Sequence, residues 1–95
     1  MSQSENEFDS IWDALEDTPA EAENMKARAS LMMALRNHIA GKNLTQAEAA
    51  KLLGVTQPRI SDLQRGKIDL FSIDKLINML AMAGLHIEMT VAEAA

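Results

Sequence analysis

The side chains best able to act on another molecule are cations gathered in the middle of the chain. Residues 26–67 hold Lys26, Arg28, Arg36, Lys42, Lys51, Arg59, Arg65 and Lys67 against only Glu48 and Asp62, a local balance of +6. Residues 1–25 carry eight acids and no Lys or Arg, and residues 68–95 carry Lys75 against four acids, for balances of −8 and −3. The net charge of −5 argues against a nucleic-acid partner only if it is spread evenly, because phosphate responds to local charge. The chemistry on offer is ion pairing and hydrogen bonding to an anionic polymer. Bond-making chemistry lacks its residues. There is no Cys, which excludes disulfides and thiolate metal sites. His38 falls near an apolar helix face and His86 on a polar face, neither in a His/Asp/Glu cluster. The acids between Glu5 and Glu23 lack calcium-loop spacing. Gly41, Gly54, Gly66 and Gly84 punctuate helix ends and do not form a phosphate loop, and the Met residues read as core. No enzyme activity, cofactor or metal is expected.

The cations need a scaffold, and Leu44–Gly66 supplies one. Thr45 followed by Glu48 is a capping box: the hydroxyl accepts an orphan N–H and the carboxylate reaches back to the cap. Leu53 ends that helix, and Gly54 provides the left-handed residue of a sharp exit. Thr56 caps a second helix whose first turn is Gln57, Pro58 and Arg59; Pro is tolerated there because no helical N–H is lost. Ala49, Leu53, Val55, Ile60 and Leu63 fall where two crossed helices meet, and Ala50 is small enough to let them approach. This is the helix-turn-helix layout, in which the second helix enters the DNA major groove.

The flanking chain divides into residues 1–17, an acidic segment; 18–84, the helix-turn-helix DNA-binding domain; and 85–95, a strand and tail. Phe8, Ile11, Trp12 and Leu15 recur at helical spacing among acids. That short helix either folds back onto the core through Trp12 or docks on a basic partner; the sequence leaves both open. Thr18, Pro19 and Glu21 start a long helix. It runs to about Ala40, or breaks near Asn24, with Ala29, Met32, Leu35 and Ile39 inward. Lys67–Phe71 reads as a loop. Ser72 caps a helix to about Ala83, buried through Ile73, Leu76, Ile77, Leu80 and Ala83. Leu85, Ile87, Met89 and Val91 then alternate with His86, Glu88, Thr90 and Ala92, the period of a strand. A lone strand cannot satisfy its hydrogen bonds. The favoured completion is the same strand of a second copy, giving a twofold homodimer; an extended tail, or a strand completed by another protein, are the alternatives. The expected fold is therefore mainly α: a five-helix repressor-like helix-turn-helix domain with one C-terminal β-strand pairing across a dimer. No apolar run reaches membrane-span length and the acidic start is unlike a signal peptide, so a cytoplasmic protein is expected.

The order Thr45-Gln46, Ala50, Gly54, Ile60, Leu63, Gly66-Lys67 resembles the phage-repressor (Xre/Cro) helix-turn-helix class. Nearly everything after residue 9 is also similar to small bacterial Xre-type antitoxins and regulators of the HigA-like type. The resemblance implies a cytoplasmic homodimer that represses transcription at a palindromic double-stranded DNA operator, and a RelE/HigB-like ribonuclease toxin as partner; stand-alone Xre-type repressors also exist. It places base contacts at Gln57, Pro58, Arg59, Ser61 and Asp62, with Arg59 suited to guanine and Gln57 to adenine. Asp62 suits cytosine N4, but pairing with Arg59 or Arg65 is favoured for it. Backbone contacts fall to Thr45, Gln46, Thr56, Arg65 and Lys67, dimerisation to Leu85, Ile87, Met89 and Val91, and toxin docking to Phe8, Ile11, Trp12 and Leu15.

Overall fold

A computed structural model describes residues 18–93. Four α-helices follow one another there: α1 (Pro19–Gly41), α2 (Gln46–Leu53), α3 (Gln57–Gln64) and, after a 3-10 turn at Ile68–Leu70, α4 (Ile73–Met82). The fifth expected helix, with Phe8, Ile11, Trp12 and Leu15, lies outside the described residues.

Each helix is closed at both ends by its own neighbours. The hydroxyls of Thr18, Thr45, Thr56 and Ser72 each accept the N–H three residues on. Glu48 completes the capping box by accepting the Thr45 N–H at 2.9 Å. At the other ends, the N–H groups of Leu44, Val55, Lys67 and Leu85 each donate to the carbonyl five residues back, at 3.0–3.2 Å. This is the closure of a helix by a left-handed residue. In the helix-turn-helix corner that residue is Gly54, at φ 71. A Cβ there would meet the Met82 side chain at 3.3 Å, so a side chain would be both strained and crowded. After α1 the left-handed residue is Asn43, at φ 58, one of the few side chains at ease there.

α1 runs unbroken past Asn24, because Arg28 ties its first half down. The Arg28 Nε donates to Asn24 Oδ1 at 2.7 Å, and its Nη1 donates to the Ile68 carbonyl at 3.2 Å. The core draws Met32, Leu35 and Ile39 from α1, Ala49, Ala50 and Leu53 from α2, Ile60 and Leu63 from α3, then Phe71, and Leu76, Met79 and Leu80 from α4. Several details depart from expectation. Ile73, Ile77 and Ala83, expected in the buried stripe of α4, are only half-buried. Ala29 is exposed, because the core residues of α1 are Met32, Leu35 and Ile39 in its later turns. Met79 is buried, because α4 is covered over a wider arc than one stripe.

The strand expected over Leu85–Ala92 is absent among the described residues, where 85–93 carry no regular secondary structure. A single chain offers it no strand edge. Leu85 and Ile87 instead pack half-buried against the core. Met89 and Val91 stand 71% and 89% exposed.

Candidate nucleic-acid interface

Helices α2 and α3 cross over Ala49, Ala50, Leu53, Ile60 and Leu63, so the buried seam of α3 determines what its other side presents. At about 100° per residue, Pro58, Ser61, Asp62 and Arg65 project from the half of α3 opposite Ile60 and Leu63. Arg59 and Gln64 flank the seam, one on either side. Gln57 and Pro58 are exposed in the first turn. The Thr56 hydroxyl accepts the Arg59 N–H at 3.4 Å, capping that turn.

The flanking pair is tied to the protein. Gln46 at the start of α2 donates through Nε2 to Gln64 Oε1 at 3.1 Å. Gln64 was not singled out in the sequence; its partner lies 18 residues away, and only the crossing of the two helices brings them together. Arg59 donates through Nη1 to the Leu70 carbonyl at 3.3 Å, and its guanidinium lies 5.4 Å from the centre of the Phe71 ring. The residue expected to read guanine thus also braces α3 against the turn that follows it.

Asp62 is the electrostatic centre of the exposed face. Its carboxylate oxygens lie 3.9 Å from Arg59 Nη1, 4.0 Å from Arg65 Nη2 and 3.9 Å from Lys67 Nζ. These separations are ion contacts longer than hydrogen bonds. The expected pairing of Asp62 with Arg59 or Arg65 is present with both, and Lys67 joins them. Arg36 of α1 adds a further cation at the end of α3, its Nη1 lying 3.5 Å from the Cβ position of Gly66. Other cations of the basic middle serve elsewhere: Arg28 holds the 3-10 turn, and Lys26 lies 3.7 Å from Glu23.

The face is therefore an exposed helix with its leading turn open and a cluster of cations at its trailing end. Such a surface suits hydrogen bonding to base edges flanked by phosphate contacts. Among the described residues, no group of three or more His, Asp or Glu side chains could hold a metal ion. No helix among them is long and apolar enough to cross a membrane.

Residues 14–92 match a family described as a helix-turn-helix domain. A solved structure described as a "Putative XRE Family Transcriptional Regulator" is 31% identical, with a TM-score of 0.71 over 78% of this chain and 83% of that one. The chain is an XRE-family helix-turn-helix protein. No curated protein matches it significantly. Membership of the XRE family makes it a DNA-binding transcriptional regulator, not an enzyme. In this XRE-family protein α2 and α3, joined at Gly54, are the two helices of the helix-turn-helix expected over Leu44–Gly66.

Proposed function

We propose that the protein is a homodimeric repressor that reads a palindromic operator with α3. The observation that carries this reading is the exposed face of α3, held outward by Ile60 and Leu63 and bordered by Arg36, Arg65 and Lys67. Gln57, Pro58, Arg59, Ser61 and Asp62 are the base-contacting set; Thr45, Gln46, Thr56, Arg65 and Lys67 hold the phosphates. Thr45 and Thr56 serve this through the helix starts that they cap, their hydroxyl oxygens accepting the Glu48 and Arg59 N–H groups while each O–H can still donate to a phosphate. The alternating residues Leu85, Ile87, Met89 and Val91 pair with the same segment of a second copy as a two-stranded ribbon. Exposure of Met89 and Val91 beside half-buried Leu85 and Ile87 supports that pairing. Twofold symmetry then sets two recognition helices about 34 Å apart, one turn of DNA.

Selection of duplexes from a random pool by the full-length protein tests this reading. An inverted repeat with half-sites one turn apart is expected; failure to enrich any sequence would refute it. Arg59→Ala relaxes preference at the guanine it reads and costs about 1–3 kcal/mol of binding. An unchanged selected sequence would leave Arg59 only its bracing of Leu70 and Phe71.

The finer reading is the antitoxin of a type II toxin–antitoxin pair, autoregulating its operon. The acidic segment 1–17 supports it, with Phe8, Ile11, Trp12 and Leu15 as the apolar stripe and acids to meet a basic RelE/HigB-like ribonuclease. Removing residues 1–17 is expected to leave operator affinity within about twofold and abolish neutralisation, because the described interface lies wholly beyond them. A truncated protein that still protects cells from the toxin would show that the segment is not the neutralising element; a full-length protein that neutralises no toxin would be a stand-alone Xre-type repressor.

A further inference from the structure

Asp62 is the one acid of α3, the helix whose exposed face is otherwise organised to attract phosphate. It stands on the outward half of α3, 23% exposed, with cationic nitrogens of Arg59, Arg65 and Lys67 at 3.9–4.0 Å. If the cluster served only to hold DNA, an uncharged residue at Asp62 would serve better. The carboxylate partly neutralises three cations and repels the polymer they attract. A negative charge so placed is useful where binding must depend on sequence, because a surface that binds any phosphate binds every duplex.

We propose that Asp62 sets the sequence specificity of this protein by demanding an amino group on the base edge that it meets. An ionised carboxylate can only accept hydrogen bonds. In the major groove the donors are the N4 amine of cytosine and the N6 amine of adenine, whereas guanine O6 and N7 and thymine O4 are acceptors. Opposite an amine, the carboxylate gains a partner in the DNA. Arg65 and Lys67, on exposed flexible stems, are then released to nearby phosphates. Opposite an acceptor, the carboxylate is buried against like charge and keeps its cations. The same residue thus favours cytosine or adenine over guanine or thymine on the strand that it meets, and withholds phosphate-binding charge where that strand offers no amine. This inference rests on the reading of α3 as the DNA-facing helix.

The test compares the wild-type protein with Asp62→Asn and Asp62→Glu, all full-length, by selection from a random duplex pool. The affinity of each for the wild-type selected site and for an unrelated duplex is then measured across a salt series. The wild-type site is expected to carry cytosine or adenine at one position in each half. Asp62→Asn, which removes the charge at constant shape and adds a donor, should lose any preference for cytosine or admit guanine or thymine there, and bind the unrelated duplex about tenfold more tightly, with a steeper salt dependence. Asp62→Glu, which keeps the charge on a longer arm, should retain weak binding to the unrelated duplex. The proposal is overturned if Asp62→Asn leaves both the selected base and the unrelated affinity unchanged. It is equally overturned if both affinities fall in proportion with a lowered melting temperature, the signature of a residue that only supports the helix. A wild-type protein that enriches no sequence brings down the DNA reading itself, and this inference with it.

Discussion

Replacing Phe71 by alanine lowers the stability of the domain by about 3–5 kcal/mol. Phe71 is 1% exposed and among the largest fully buried side chains. It follows the 3-10 turn, where its N–H donates to the Ile68 carbonyl at 3.2 Å. Its removal leaves a cavity in the buried core and takes away the ring beside the Arg59 guanidinium. A small domain is held by roughly 5–15 kcal/mol in all. The melting temperature should therefore fall on the order of 20 °C, read by far-ultraviolet circular dichroism. A fall of only a few degrees would mean that the bundle closes over the gap. Arg59 should become more mobile in the same variant, since half its docking surface is gone.

Converting Met89 and Val91 together to aspartate is expected to leave each chain folded and to lower operator affinity by about 10²–10⁴. Their exposures of 71% and 89% mean that the change costs an isolated chain little. In a ribbon of two paired strands the same change sets like charges face to face. A monomer would then bind one half-site without the gain of being linked to the second. Sedimentation of the free protein and titration of the selected operator read the two effects separately. A variant that remains dimeric would assign dimerisation to another surface, and one that is monomeric with undiminished affinity would remove the twofold operator.

The parts of this protein that were legible in advance are those whose physics is local. Thr18, Thr45, Thr56 and Ser72 cap helices because a hydroxyl three residues from an N–H needs no tertiary help. The helix-turn-helix corner could be read because Gly54 does a backbone task that few residues can. The buried faces of α2 and α3 followed from apolar spacing alone. What could not be read depended on distant residues. Arg59 finds Leu70 and Phe71 only once the 3-10 turn folds back, and Gln46 finds Gln64 only across the helix crossing. Asp62 could be paired in advance with Arg59 or Arg65 on helix spacing, yet Lys67 joins them from beyond the helix end. The alternation after Gly84 has the period of a strand because periodicity reports side-chain pattern, whereas a strand also requires an edge to pair with. Along one chain the pattern is only half used, by Leu85 and Ile87.

The closures at the two ends of every helix bear on how this chain acquires its shape. None of them spans more than five residues, so each helix carries its own instructions to begin and to stop. Such closures let each helix start and stop on the sub-microsecond to microsecond scale of helix formation, ahead of the distant contacts, such as Arg28 with Ile68, that join the helices into a core. In the homodimer proposed above, the meeting of two such copies is then the step that depends on concentration.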